Sequence, residues 1–540
     1  MSDPINGLRG AIAAAAESLS EGEAPAFSLE QPPQPDFGDY STNAAMLIAP
    51  ALGEQPRAVA DRLSERLSSE LGGGLDRVEV AGPGFLNLFL SDAWYREAAA
   101  ALAAAGDELG RGRKEAESVL VEFVSANPTG PLTAASGRHA AYGDSVARIL
   151  ELSGDEVARE YYVNDAGGQI ERFALSIAAR MRGSEPPEDG YGGPYVADLA
   201  AQLADEGIEP GDTDRIAQRG AELMRESAEA TLRRYGVEFD RWYSERTLHG
   251  EGGLMDQALA ALRERGEVYE SEGATWLRTT KFGDDKDRVL QRSDGEPTYF
   301  LADIAYHRDK LERCDWTINV LGADHHGYVD RLKAGVAALG LDPERLQIDI
   351  IQLVHVIEGG ERAQMSKRKG EFVTLDELID DIGADAARFF MLQRSHETTV
   401  DLDLELARKQ SNDNPVYYVQ YAHARIASIL RKAGEELVEA SLTEQPATSA
   451  ALEPAERALT RRLLQLPDEV ASAAERRAPQ RLCAYAMATA ADFHGFYRDC
   501  KVVGAEGKGV EAERIRLCVL TKRTVARTLG LLGISAPERM

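Results

Sequence analysis

Cysteine is scarce: four in 540 residues (Cys314, Cys483, Cys500, Cys518), widely scattered. That spacing holds no CxxC pair, no zinc set and no disulfide framework, so neither a bound zinc nor an oxidising compartment is expected. No apolar run approaches the roughly 20 residues that cross a bilayer, so no membrane partner is expected. The start, Met1-Ser2-Asp3-Pro4, carries an acid where a secretory leader would carry cations. No signal peptide is expected, and a cytoplasmic setting fits. Positive charge is short as well, with 61 Lys and Arg against 90 Asp and Glu, a net charge of −29. Phosphate binding needs local Lys/Arg density, so this balance argues against a nucleic-acid partner unless one face is basic. Fixed-period repeats and strong low-complexity tracts are absent.

What is present is ordinary for a large soluble protein: 44% hydrophobic and 28% charged residues. The length implies about three domains. In residues 1–112, apolar positions from Ile5 to Leu19 recur at helical spacing, as do Val59, Leu63, Leu67 and Leu71. Val78 to Leu90, broken at Gly82-Pro83-Gly84, reads as two strands and a turn. Gly106 to Lys114 reads as a linker. From Ser118 to Arg394 the pattern becomes α/β: Val119 to Val124 is a strand followed by turn residues and a helix from Gly137 to Leu152. Trp316 to Leu321 and Leu346 to Val356 are further buried-strand candidates, and the more polar Gly183 to Gly252 reads as an insertion. From Asn414 onward the periodicity is helical, which predicts a bundle.

Two stretches carry chemistry. Glu122 to Leu132 followed by Thr133-Ala134-Ala135-Ser136-Gly137-Arg138-His139 is a strand end, a loop and a helix N-terminus. Such a junction gathers backbone N–H groups around one point and attracts phosphate or carboxylate. Met365-Ser366-Lys367-Arg368-Lys369-Gly370 is a small cationic loop with a glycine. It could close over a triphosphate and stabilise charge at phosphorus, although an isolated Lys-Arg-Lys is more commonly a solvated turn.

Occurring in this order on one α/β domain, the two stretches resemble the HIGH and KMSKS signatures of the class I aminoacyl-tRNA synthetases. The chain is similar in particular to the arginyl-tRNA synthetases. The likeness runs through Phe37-Gly38-Asp39-Tyr40-Ser41, Ala126-Asn127-Pro128-Thr129-Gly130-Pro131-Leu132 and Tyr162-Val163-Asn164-Asp165-Ala166-Gly167. It continues in Gly322-Ala323-Asp324-His325-His326-Gly327-Tyr328, Asp385-Ala386-Ala387-Arg388, Tyr417 to His423 and the ending Ser535 to Met540.

The resemblance implies a Rossmann-like α/β class I catalytic domain over 113–394, with an insertion at about 183–252. An α+β N-terminal domain (1–112) precedes it and an α-helical anticodon-binding bundle (395–540) follows. It implies an arginine–tRNA ligase that activates L-arginine with ATP, Mg²⁺ accompanying the nucleotide, and loads it onto the 3′ end of tRNA(Arg). It also implies a monomer and activation that needs bound tRNA. Carried onto this chain, the family pattern assigns arginine to Glu122, Asn127, Tyr299, Asp303 and Asp324. It assigns ATP to Pro131, Gly137, Gly322, Met365, Ser366, Lys367 and Arg368. For tRNA it points to Phe37, Tyr40, Tyr417, Tyr421, Arg425 and Met540, with Tyr418 and His423 beside them. Tyrosines at helical spacing are also what any helical core contains.

Physical chemistry agrees in part. A planar guanidinium rewards carboxylates in a fork. Tyr299 and Asp303, four apart, share one face if their segment is helical, and His307 continues it. Without the resemblance such a pair reads as ordinary surface. Glu122 and Asn127 would meet either the guanidinium or the backbone end of the substrate.

The HIGH motif itself is missing: its four positions read Thr133-Ala134-Ala135-Ser136. Losing such a donor costs roughly 2.7–4 kcal/mol in related oxyanion sites. Thr133, Ser136 and His139, one turn further on, are the candidate replacements, with Lys367 as the chief catalytic cation. In the second signature Gln364 stands where the first lysine belongs. A catalytically impaired, tRNA-binding paralogue is the alternative; the retained basic loop, acidic residues and helical end argue against it. A different class I synthetase fits poorly, because Asp303 and Glu122 suit a cationic side chain.

Overall fold

The computed structural model describes residues 3–20, 22–32, 34–112, 115–250, 252–362, 373–443, 448 and 450–540; Met365, Ser366, Lys367 and Arg368 lie outside them. In the N-terminal region, helix Pro4–Ser20 buries Ile5, Leu8, Ile12, Ala15, Ala16 and Leu19. Helix Pro56–Leu71 buries Val59, Leu63 and Leu67, with the expected Leu71 only half-buried. Strands Leu75–Ala81 and Phe85–Leu90 pair antiparallel around the expected glycine turn, with Ala81 opposite Phe85. Gly84 has φ +143°, and a Cβ there would lie 2.9 Å from the Pro56 carbonyl oxygen.

The centre is a five-stranded, fully parallel sheet. Its spatial order is Leu346–Ile351, Trp316–Gly322, Ser118–Glu122, Glu156–Val163, Arg241–Ser244. Chain order reverses between Ser118–Glu122 and Trp316–Gly322, so the crevice for a ligand opens at the carboxyl ends of these two strands. Helix Ala134–Ser153 leaves that point, and helix Tyr299–Arg313 lies beside it. Gly143 lets the first helix approach its own strand, since a Cβ would stand 2.2 Å from the Phe123 ring.

Two expectations need correction. The stretch Leu346 to Val356 is not one strand: Val354–Glu358 turns away and pairs with Val400–Asp403 in a separate sheet. The cause is Arg138, whose guanidinium donates to the carbonyls of Gln352 (2.7 Å), Leu353 (3.2 Å), Ser395 (2.9 Å) and Thr398 (2.7 Å). The stretch Gly183 to Gly252, read as an insertion, also supplies Arg241–Ser244, the edge strand of the central sheet. Only the helices before it, Pro194–Asp205 and Thr213–Arg234, stand outside the sheet's own topology.

From Pro415 the described chain is helical, as expected, and helix Val510–Leu531 is buried on most of its faces.

Candidate active site

A cleft of about 1130 Å³ opens at the switch point. Thr133, Ser136 and His139 line one end, and Asp303, Tyr299 and Tyr328 line the other. Expected residues Glu122, Asn127, Pro131, Gly322 and Asp324 also line it. Gly137 does not; a Cβ there would meet Leu375 Cδ1 at 2.7 Å, so this glycine serves packing.

At the first end Thr133 caps helix Ala134–Ser153. Its Oγ1 accepts from the Ser136 N–H, and the Ser136 Oγ accepts from the Thr133 N–H, both at 3.4 Å. The two hydroxyls lie 3.4 Å apart, so at most one proton is shared between them and the other can donate outward. His139 sits one turn on. A Cβ on Gly322 would lie 3.9 Å from its ring, so it stands against the end of strand Trp316–Gly322. Burial, helped by Arg138, pushes its pKa down to about 4, against the pull of Asp324 and of a hydrogen bond to the Val320 backbone. Its imidazole is therefore neutral before a phosphate arrives. The chain that follows the basic loop docks here too. The Ala134 N–H donates to the Val373 carbonyl (3.1 Å) and the Leu375 N–H to the Leu132 carbonyl (2.8 Å). Thr133 bridges Thr374, which caps its own helix through Glu377.

At the second end Asp303 and Glu122 line the cleft, and Glu245 lies close enough behind them to act on Asp303. Tyr328 donates its hydroxyl proton to Asp303. Burial pushes Asp303 up to about 7, reinforced by Glu122 and Glu245 and eased by Tyr328 and Lys310. Burial likewise pushes Glu245 up to about 7, with Asp165 adding to it and a hydrogen bond from Tyr162 opposing it. The Asn164 amide nitrogen donates to Glu245 Oε2 at 2.7 Å. Asp165 accepts from Ser244 Oγ at 2.6 Å and from the Arg246 N–H at 3.3 Å, fixing the turn that carries Glu245. Among the described residues neither Asp303 nor Glu245 forms an ion pair with an arginine or lysine; His249 lies 3.7 Å from Glu245.

Glu122 departs from expectation. Its Oε2 lies 2.5 Å from Lys310 Nζ and its Oε1 accepts from Ser125 Oγ at 2.9 Å, so both oxygens are taken by the protein. Ser125 and its neighbour Val124 hold positive φ (+41° and +68°), a strained turn that this carboxylate pins. Tyr299 is 62% exposed at the mouth. Asn127 is exposed and donates to Gln169 Oε1 at 2.7 Å, and Asp324 points outward beside His325.

Sequence reasoning missed Glu245, Tyr162 and Lys310. The available signal was the motif Tyr162 to Gly167: two of its side chains, Tyr162 and Asn164, hold Glu245 across the parallel strand pair.

On the helical end, Tyr417 and Tyr421 stack at 6.1 Å, and Arg425 lies over the rings of Tyr421 (5.4 Å) and Tyr497 (4.9 Å). Tyr418, Tyr421, Arg425, Tyr497 and His494, the last an unanticipated member, surround a hollow of about 320 Å³ that Tyr417 does not line. His423 is not part of this surface: it is buried, and its Nδ1 lies 2.8 Å from the Pro537 carbonyl, holding the tail that ends at exposed Met540. Of the two N-terminal residues, Phe37 is exposed while Tyr40 is buried edge-on against Trp94.

Three family models match the chain: "Arginyl tRNA synthetase N terminal domain" over residues 6–90, "tRNA synthetases class I (R), catalytic domain" over 211–427 and "DALR anticodon binding domain" over 419–540. The arginine–tRNA ligase of Desulforudis audaxviator is 46% identical, covering 99% of this chain and 97% of its own. That of Shouchella clausii is 43% identical, covering 97% and 96%. The Thermus thermophilus arginyl-tRNA synthetase structure superposes with a TM-score of 0.77 at 26% identity, covering 99% of this chain and 100% of that one. The Plasmodium falciparum enzyme, at 16% identity and a TM-score of 0.76 over 100% of both chains, shares the fold.

Proposed function

The chain belongs to the arginyl-tRNA synthetase family, an arginine–tRNA ligase family, and on that premise we propose how its residues divide the reaction. The substrate guanidinium lies between Asp303 and Glu245, ringed by Tyr162, Tyr299 and Tyr328. A planar fork of N–H donors fits two carboxylates better than one. The ammonium and carboxylate of arginine lie toward Asn127 and Asp324. One carboxylate oxygen attacks the α-phosphorus of ATP, a new P–O bond forms, and the bond to pyrophosphate breaks. Negative charge grows on the α-phosphate oxygens in that step. The hydroxyls of Thr133 and Ser136 and the imidazole of His139 meet it, with Pro131 and Gly322 beside the nucleotide. The family pattern adds Lys367 and Arg368, with Met365 and Ser366, at the triphosphate; they lie outside the described residues, and the chain that follows them is hydrogen-bonded to Ala134 and Leu132. In the second step the 2′-hydroxyl of the terminal tRNA adenosine attacks the activated carbonyl, and AMP leaves with the bonding electrons.

Mg²⁺ comes with the triphosphate and needs no protein cage. The Tyr417, Tyr421 and Arg425 surface takes unstacked anticodon bases, with Met540 beside it, and Phe37 meets the tRNA from residues 1–112. The catalytic part spans 113–394 and the helical part 395–540. No helix among the described residues is long and apolar enough to cross a membrane. We place the enzyme in the cytoplasm, as a monomer. A tRNA-binding paralogue without catalysis is not favoured, because the cleft is open and its acids await a cation.

One observation carries this reading: Asp303 lines the cleft with Glu245 buried close behind it, and among the described residues neither has an arginine or lysine partner. Charging of tRNA(Arg) with labelled arginine tests it. The wild-type protein forms arginyl-tRNA and Asp303→Ala loses arginine activation; an inert, folded wild type would refute the assignment.

A further inference from the structure

We infer that Lys310 is a built-in counter-charge of the arginine pocket, neutralising Glu122 so that Asp303 and Glu245 are left for the substrate. This rests on reading the cleft as the arginine site. Lys310 is fully buried, and its Nζ donates to Glu122 Oε2 at 2.5 Å and to Asn319 Oδ1 at 2.7 Å. It also lies 4.5 Å from the Tyr306 ring centroid, so two of its three donors meet oxygens and the ring face takes up the remaining side.

The arrangement follows from register. Glu122 and Asn319 are partners on neighbouring parallel strands, side by side under helix Tyr299–Arg313. Positions 299, 303, 307 and 310 share one face of that helix. The helix that offers Asp303 to the cleft therefore also drops Lys310 onto the strand ends.

A relay fixes the polarity. Asn319 Oδ1 accepts from Lys310, so Asn319 Nδ2 donates to His307 Nε2 at 2.7 Å. His307 Nδ1 must then carry the proton and donate to the Asp303 carbonyl at 2.7 Å. Burial and the Lys310 charge hold His307 down at about 3, so it stays neutral. The charged groups acting on Asp303 are thus Glu122, Glu245 and Lys310. With Glu122 matched by Lys310, the two remaining acids are the ones a single guanidinium must satisfy.

Without the ammonium, Glu122 would be a buried unpaired carboxylate. It would take up a proton or draw the guanidinium away from Asp303, displacing the substrate carboxylate from the α-phosphate. Lys310 is a positioning residue: it acts through Glu122 and does not touch arginine.

The test uses the full-length enzyme with tRNA, measuring arginine-dependent pyrophosphate exchange for Lys310→Met, Glu122→Gln and the double variant. Lys310→Met should raise the arginine KM by about tenfold or more, leave the ATP KM within about twofold, and move the acid limb of kcat/KM against pH upward. Glu122→Gln with Lys310→Met, which removes both charges, should recover most of that loss. Unchanged arginine KM and pH profile in Lys310→Met would overturn the inference, as would a double variant whose losses simply multiply. If Lys310→Met does not fold, the double variant decides: folded protein that has lost arginine binding overturns it. Asp303→Ala keeps the two claims apart, because retained arginine binding there would defeat the pocket assignment itself.

Discussion

Arg388 and Asp144 form an ion pair at 2.6 Å that solvent does not reach, their side chains being 0% and 1% exposed. Arg388 belongs to the Asp385-Ala386-Ala387-Arg388 signature, and Asp144 to the helix that starts at Thr133. The same guanidinium donates to the carbonyls of Leu532 (2.8 Å) and Tyr235 (3.1 Å). One side chain therefore joins the helical end, the residues beside the edge strand and the helix of the phosphate site.

Gly533→Ala tests that junction. Its φ is +66°, and an added Cβ would lie 2.1 Å from Arg388 Nη2. The substitution should cost about 3 kcal/mol or more; Arg388→Met, which takes the fully buried cation from Asp144 and leaves it Arg148 at 2.8 Å, should also destabilise. Urea unfolding checks both, and unchanged midpoints would show that the junction tolerates slack.

Asp303→Asn should separate function from stability. Removing the carboxylate should weaken arginine binding by about 100-fold or more. Burial raises this group from 3.8 to about 7, so the folded protein binds its proton more tightly than the unfolded chain. Wild-type stability is therefore lost as pH rises from about 4 to about 7. The variant escapes that loss, so its thermal midpoint should exceed the wild type's at pH 8 and match it near pH 4.

Arginine binding should release protons. Asp303 and Glu245 both titrate near 7 in the free protein, and a guanidinium requires them ionised. Affinity should rise with pH through about 7 and then level off. Calorimetry in buffers of different ionisation enthalpy measures the release directly at pH 6.5; heats independent of buffer would contradict it.

His139 should matter to ATP and not to arginine. A proton taken up by its neutral imidazole beside an incoming phosphate would make it a donor, and one lost donor at such a site typically costs up to about 2.7–4 kcal/mol. His139→Ala should lower kcat for pyrophosphate exchange with little change in the arginine KM. Unchanged kcat would leave Thr133 and Ser136 as the only local replacements for the missing histidines.

Much of this was legible because it is local. The Leu75 to Leu90 hairpin, the strand–loop–helix from Ser118 to Ser153 and the terminal helices each follow from periodicity and turn residues near in sequence. Helical spacing puts Asp303 and Tyr299 on one face, but it was the family resemblance that marked them as pocket residues. What escaped depends on distant groups. The break at Gln352 exists because Arg138 captures its carbonyl from another helix. Glu245 sits in a polar stretch and is tied to the cleft only through Tyr162 and Asn164, which do line it. Glu122 looked free until Lys310 and Ser125 were seen to occupy both its oxygens.

The most direct test is the structure of the enzyme with a non-hydrolysable arginyl-adenylate analogue. The guanidinium should lie within hydrogen-bond distance of both Asp303 and Glu245, with the phosphate mimic beside Thr133, Ser136 and His139. A guanidinium bound elsewhere, or that cleft filled by the protein's own side chains, would contradict the account.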